Sequence, residues 1–501
     1  MQNNSENIVK KVTLSNNLEE NVKEIKCQMG ESFDLISKVI ELKSENRKKS
    51  LKIAIFLING LADQNFVNET IIENIIKNYK FIINHVEGDN LIDTFNDYIV
   101  TMSEVKISNN FIDLFSNLLA GDTIIILDGE TKFFQIGSRK YPERSVEEPK
   151  THISIMGPKD SFTESLVTNT ALLRRKLKNP NLWIKTISVG EKTNTNVAIC
   201  YLKGTADEGI ITEAQTRIEK IEIDNILDVS YIVAALKETQ GSLFPTIQLM
   251  ERPDSLVANI LEGRVVILCD GSPYGMVIPT VFNQFLHATE DYYKKSNISI
   301  FFRLLRTMGF SFAVYLPSIY ILLTVFHSEL IPFPLLVKIA SQREGLPFPS
   351  WAEAISLCLI YDLLREAALR MPMALGSTIS IVGALVLGDA AIQAGIISPI
   401  MLIIVSVTAI STLSIPNYTM QVTAIILKYV FIIIAAFLGL FGFVLGLYVL
   451  LIHMTSLRNF GVAYLAPFSP HTGESNYDSI IRKPLEKTFK RRGIFSSKFP
   501  N

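Results

Sequence analysis

Charge is distributed along this chain as though its two parts met different solvents. Between Thr307 and Ser456 the charged side chains are Glu329, Lys338, Arg343, Glu344, Glu353, Asp362, Arg365, Glu366, Arg370, Asp389 and Lys428, about 7% of the segment. The rest of the chain carries about 25%, the usual density of a soluble protein. A front portion built for water and a rear portion built for hydrocarbon are therefore expected. Lys and Arg number 48 against 49 Asp and Glu, a net charge of -1. That balance gives no bulk attraction for phosphate, so nucleic acid is excluded as a partner.

The 501 residues exceed one ordinary core, and the front portion reads as a duplication. The run Ile53-Ala54-Ile55-Phe56-Leu57-Ile58-Asn59-Gly60 is echoed by Val197-Ala198-Ile199-Cys200-Tyr201-Leu202-Lys203-Gly204. At nearly the same offset, Gly121-Asp122-Thr123-Ile124-Ile125-Ile126-Leu127-Asp128-Gly129 is echoed by Gly263-Arg264-Val265-Val266-Ile267-Leu268-Cys269-Asp270-Gly271. Short apolar runs rich in β-branched residues and closed by Gly are buried strands, and helical stretches near 67–79 and 212–221 accompany them. Two α/β subdomains follow, at 49–145 and 186–293, behind a polar tail over 1–48 and joined by a helical connection over 146–185. Asp128-Gly129 and Asp270-Gly271 read as tight turns after strands.

In the connection, Ser161 and Glu164 have the spacing of a capping box, which predicts a helix starting at Ser161. Arg174, Arg175 and Lys176 then fall at its C-terminal end, where the helix dipole favours cations. The dipole accounts for them; a second reading makes Arg174 and Arg175 a contact for a partner subunit or lipid headgroups.

No phosphate loop, dinucleotide fingerprint, zinc-protease or nucleophile-elbow pattern is present, and the six histidines are scattered. Cys27, Cys200, Cys269 and Cys358 lack metal-ligand spacing, so neither metal, cofactor nor disulfide framework is expected. The chain reads as a non-enzyme. Its first fifty residues lack the apolar core of a secretory signal, which places the front portion in the cytoplasm.

The rear portion, 294–456, predicts an all-α domain of about four membrane helices, at 308–326, 374–394, 396–415 and 429–451. Lys294, Lys295, Arg303 and Arg306 precede the first, and a basic tail over 457–501 follows the last. By the positive-inside tendency both ends lie on the cytoplasmic side, which demands an even number of crossings. Gly376 with Ser380, and Gly442 with Gly446, are four apart and suit close helix approach.

The segment 350–371 is the difficult one. Ser350 and Glu353 again have capping-box spacing, so a helix starts there. Asp362, Arg365, Glu366 and Arg370 fall on one side of it and Glu353 on the other, with Glu366 and Arg370 in favourable i,i+4 order. As a fifth crossing it would break the parity of the count. It therefore reads either as an amphipathic helix flat on the bilayer or as a re-entrant or subunit-shielded helix facing water or protein. Asp389, inside the second expected span near its cytoplasmic end, is either an ion-pathway group or a headgroup-exposed carboxylate.

A set of motifs in fixed order resembles the A subunits of spore germinant receptors of the GerA type. They are Gly157-Pro158-Lys159-Asp160-Ser161-Phe162-Thr163-Glu164-Ser165 with Asn169 and Arg174-Arg175, then Glu251-Arg252-Pro253, Leu261-Glu262-Gly263-Arg264 and Glu290-Asp291-Tyr292-Tyr293. Leu346-Pro347-Phe348-Pro349, Leu363-Leu364-Arg365-Glu366-Ala367 with Arg370-Met371-Pro372, and the run from Ile381 to Ala390 complete the set. Met156 stands where the family pattern has Arg, and Tyr361-Asp362 where it has an aromatic-Glu pair.

The resemblance implies a subunit of a receptor in the spore inner membrane. Its partners would be a B subunit resembling amino-acid transporters and a C subunit that is a lipoprotein. The A subunit would be a homo-oligomer, pentameric as the resemblance implies, opening as a cation channel when nutrient is sensed. On that reading Asp362, Glu366 and Asp389 are ion-pathway candidates, and Glu353, Arg365 and Arg370 brace the pore or a subunit interface. A transporter or nutrient-binding subunit without its own pore, and a purely structural scaffold, are the competing classes.

Overall fold

The computed structural model describes residues 14–43, 50–78, 92, 95, 105–140, 156–236, 241–370, 390–469 and 482. They fall into two compact units. One holds the described residues up to 236 together with 247–279; the other holds 241–246 and the described residues from 280 onward.

The first unit contains two five-stranded antiparallel sheets. One comprises β1 (Leu35–Lys43), β2 (Ser50–Ile58), β3 (Val105–Ser108), β4 (Thr123–Leu127) and β5 (Phe133–Ile136) in the order β1-β2-β4-β5-β3. The other comprises β6 (Leu182–Val189), β7 (Thr195–Leu202), β8 (Gln248–Met250), β9 (Val265–Cys269) and β10 (Gly275–Ile278) in the order β6-β7-β9-β10-β8. The two echoed runs are the paired central strands of each sheet: Ile55 lies opposite Ile125, and Ile199 opposite Ile267.

Because side chains alternate across a strand, an unbroken apolar run serves two buried faces. Ile53, Ile55 and Leu57 of β2 meet Val67, Ile71 and Ile75 from the helical stretch 64–77. Ala54, Phe56 and Ile58 meet α1 (Leu18–Gln28) and α2 (Phe111–Leu118) on the other face.

Residues 18–43, expected as part of a polar tail, thus supply a helix and an edge strand of the first sheet. The duplication extends to this helix. Its counterpart is α3 (Leu166–Lys176). Asn21 exchanges two hydrogen bonds with the backbone of Ser15 at 2.8 and 2.6 Å. Asn169 makes the same pair with Thr163 at 2.8 and 2.6 Å.

This geometry corrects one expectation and adds to another that it bears out. The helix of the connection starts at Leu166 rather than Ser161, with Ser165 as its cap, because Asn169 reaches back to tie residues 163–169 into a turn before it. Asp128 and Asp270 also do more than close turns. The Asp128 carboxylate accepts from the Leu18 amide at 3.1 Å, and that of Asp270 from the Leu166 amide at 3.0 Å, so each acid sits on the positive end of a helix. Gly129 and Gly271 follow with φ of 86° and 84° and donate to Asn16 and Glu164 carbonyls.

Helices α4 (Glu208–Glu219), α5 (Val229–Leu236) and α6 (Pro253–Leu261) complete the second lobe. The lobes are joined through residues 28–34. The Phe33 amide donates to Ile184, the Ile184 amide donates to Ser32 Oγ at 3.0 Å, and the Trp183 indole donates to the Gln28 carbonyl at 3.2 Å. At the centre of this joint Arg174 is fully buried and grips Asp34 with two bonds of 2.7 and 3.1 Å. The expectation that Arg174 meets lipid or a partner subunit is therefore corrected: its charge is consumed within the chain. Arg175, next to it, is exposed.

The second unit is helical. It contains α7 (Ser296–Ile321, running on to Phe326), α8 (Phe333–Arg343), α9 (Ser350–Arg370), α10 (Pro399–Leu413) and α11 (Tyr418–Ser456). Two stretches, Ser296–Phe326 and Tyr418–Ser456, are long and apolar enough to cross a membrane by length and composition; Pro399–Leu413 is a shorter apolar helix. The expected span 374–394, with Gly376, Ser380 and Asp389, lies almost wholly outside the described residues.

The expected single span 429–451 is not straight. At Gly439 the backbone takes φ 60° and ψ -149°, a conformation open essentially to glycine alone. The halves 418–438 and 440–456 fold back on each other: the Phe431 and Phe443 rings lie 5.5 Å apart, and a Cβ on Gly446 would touch the Phe431 ring. Thr423 and His453, thirty residues apart, both reach residues 242–244. Both halves run along α7, with Tyr315 between Phe431 and Phe443 and Phe326 against Gly439 where they meet.

Candidate functional site

Helix α9 has 21 residues, about 30 Å at 1.5 Å per residue. Ala, Leu and Glu give it high helix propensity, and Pro349 just before it sets the entry. Its helical start agrees with the sequence, but the cap does not. Ser350 accepts a hydrogen bond from Arg343, and the Glu353 carboxylate leaves its own helix altogether. It accepts from the amide of Ser398 at 2.5 Å and from its hydroxyl at 2.6 Å. Glu353 thereby places a negative charge on the start of α10, where unpaired amides and the helix dipole favour an anion.

Two further polar contacts fasten α9. About one turn beyond Cys358, Asp362 Oδ2 accepts from Lys428 Nζ at 2.9 Å and from the Tyr429 hydroxyl at 2.5 Å. Lys428 is 3% exposed and also lies 4.6 Å from the Tyr429 ring centroid. Arg365 donates to Gln421 Oε1 at 3.4 Å and stacks toward Tyr418, while the Gln421 amide donates to the Ile415 carbonyl at 2.7 Å. Glu366 and Arg370 form the expected i,i+4 pair, 2.6 Å apart, on the exposed side.

These contacts fix the direction of α9. Glu353 is at the end of the bundle where Tyr320 and Ile321 cluster with Ile397 and Met401. Asp362 meets Lys428 and Tyr429, close to Phe431, which contacts Tyr315 at the middle of α7. Arg365 meets residues 418–421, at the opposite end. The helix therefore runs the depth of the bundle, antiparallel to α7, rather than lying across it.

Of the residues singled out from sequence, the structure joins Asp362 and Arg365 to α11 and Glu353 to α10, pairs Glu366 with Arg370, and separates Arg174 and Arg175 from all of them by assigning them to the other unit. Lys428 and Tyr429 were not singled out. The available signal was that Lys428 is the only Asp, Glu, Lys or Arg in 418–456, and a buried charge in apolar surroundings needs a partner.

A second polar cluster stands at the start of α7. Asp291 is fully buried and receives Arg306 through bonds of 2.7 and 2.6 Å, with Arg303 at 3.4 Å. Burial pushes its carboxyl up, but the Arg306 and Arg303 guanidiniums and the Ala288 amide outweigh this and hold it below the usual range. Arg482 adds bonds to the carbonyls of Asp291, Lys294 and Tyr292. Arg303, Arg306 and Arg482, among the basic residues expected to mark the cytoplasmic face, are buried, whereas Lys295 is exposed. Among the described residues no group of three or more His, Cys, Asp or Glu is placed to hold a metal.

The chain thus combines a duplicated α/β unit with a helical unit that holds ion pairs in an apolar bundle and two helices long and apolar enough to cross a membrane. Residues 23–494 match the family described as Bacillus/Clostridium GerA spore germination protein, and the chain belongs to that family. It is 38% identical over 480 residues to spore germination protein KA of Bacillus subtilis (strain 168), covering 96% of this chain and 87% of that protein. It is 34% identical over 475 residues to spore germination protein GerLA of Bacillus cereus, covering 95% of each. The crystal structure of the N-terminal domain of the A subunit of the Bacillus megaterium spore germinant receptor GerK3 is 31% identical, covering 55% of this chain and 99% of that one, with a TM-score of 0.44.

Proposed function

We propose that this chain is the A subunit of a nutrient germinant receptor of the spore inner membrane and that copies of it assemble around a cation pathway. Membership of the family and the spore germination proteins it resembles support the receptor role. The observation that carries the pathway is α9, a charged helix running through the depth of an apolar bundle and tied to it by Glu353, Asp362 and Arg365. Its outer face, with Leu363, Glu366, Leu369 and Arg370, is exposed in the single chain and is the face offered to sister subunits and to water. Rings of Glu366 and Asp362, with Asp389, would favour cations. The B subunit resembling amino-acid transporters would sense nutrient, the C subunit would be a lipoprotein, and a shape change that differs between the two states of the A subunit would shift it toward opening.

The fold at Gly439 removes the parity objection to a crossing α9. With 308–326, α9, the apolar segment 374–394, α10 and the two halves of α11, six passes keep both ends on one side. Cysteine accessibility tests this reading: Phe437→Cys and Phe441→Cys, beside the fold, should react from the side of the membrane opposite to the cytoplasmic one. Labelling of both from the cytoplasmic side would sink it.

A further inference from the structure

Packing of α9 is uneven along its length. Glu353, Ala354, Leu357 and Cys358 are buried, whereas the last turns, from Leu363, are largely exposed. Beyond Cys358 the described contacts that tie the helix to the rest of the bundle are polar: Asp362 with Lys428 and Tyr429, and Arg365 with Gln421. The first is the stronger, charge-assisted on both sides, with the ammonium almost wholly removed from solvent and the carboxylate 18% exposed. In this arrangement the Asp362 charge is spent on Lys428 and is not available to attract a cation.

We infer that the Asp362, Lys428 and Tyr429 contact is a clasp that holds the C-terminal half of α9 against the 418–438 helix, with Lys428 and Tyr429 as positioning residues, and that Asp362 enters the pathway only when the clasp opens. The inference deepens the channel reading and rests on it for its functional meaning, but the position of the helix is measurable without ion flow. A contact of this kind suits a switch, because its two charges are costly to leave unpaired at bilayer depth and so favour either full engagement or rearrangement into water.

The test uses the full chain assembled with its receptor partners in proteoliposomes, with spin labels at Ala368→Cys on α9 and Val422→Cys on the neighbouring helix, diluted with unlabelled chain. The expected result without nutrient is one narrow distance distribution that lengthens and broadens in Lys428→Met and in Asp362→Asn. The double variant should go no further than the larger single change, and Lys428→Arg should restore the original distance. Basal monovalent-cation leak should rise on the order of tenfold in each single variant, equivalent to about 1.4 kcal/mol. Distances unchanged in Lys428→Met, or shifts that add in the double variant, would overturn the clasp. Distances that shift as stated in a preparation that conducts no ions would uphold the clasp and remove the channel reading instead.

Discussion

Replacing Arg174 by Met should do its damage at the joint between the two α/β lobes. The guanidinium and the Asp34 carboxylate are 0% and 1% exposed and share two hydrogen bonds, so removing the cation strands a buried carboxylate. Breaking a buried pair from one side costs about 3–5 kcal/mol, whereas replacing both partners by apolar residues is often near neutral. For a unit of this size about 1 kcal/mol lowers the melting temperature by roughly 2–4 °C, so Arg174→Met should lower it by about 6–20 °C. Trp183, whose indole is hydrogen-bonded to Gln28 across the joint, provides the fluorescence signal for a thermal melt. The double variant Asp34→Leu with Arg174→Met should recover most of the loss. A single variant melting within about 1 °C of the parent, or a double variant that melts at the sum of the two losses, would refute the reasoning.

Gly439→Ala places a side chain at φ 60° and against the Phe326 ring, so folded yield in detergent should fall with a cost of about 1–3 kcal/mol; an unchanged melting profile would argue against the fold-back. Asp291 has a lowered pKa when folded, so its contribution to stability is present above the ordinary carboxylate value and is lost as pH falls through the lower folded value. Unfolding measured against pH should therefore show an acid-side loss in the parent that Asp291→Asn lacks. Among the cysteines, Cys27 is exposed while Cys200, Cys269 and Cys358 are buried, and burial pushes the Cys200 thiol up and that of Cys269 up to about 12. A thiol reagent at neutral pH should modify Cys27 alone in the folded chain, as read by mass.

The central strands of both sheets were legible because each is a short unbroken apolar run, buried on both faces, with a near copy elsewhere in the chain. Of the helices that precede them, the one in the connection was legible apart from its start, but its counterpart over 18–28 was not, since Ser15-Asn16-Asn17-Leu18 and Thr163-Glu164-Ser165-Leu166 share chemistry more than letters; the shared Asn21 and Asn169, which reach back to Ser15 and Thr163, were the readable trace. Spacing located the start of α9 but could not say that Glu353 would spend its charge on Ser398, 45 residues away. Nor could hydropathy separate the two halves of α11, because a fold at one glycine leaves an apolar run unbroken. That single omission is what made a crossing α9 look forbidden. The Asp362 partner was hidden for a related reason: Lys428 is 66 residues distant and stands just outside the span that hydropathy marked.

Ion flow through the assembled receptor is the most direct measurement. Proteoliposomes carrying the B and C subunits with this chain should release monovalent cations on addition of nutrient, and should not do so when this chain is left out. Charge reversal at Glu366 should alter the ratio of cation to anion permeability. Nutrient-triggered release of the same size and selectivity without this chain, or unaltered by that reversal, would contradict the account.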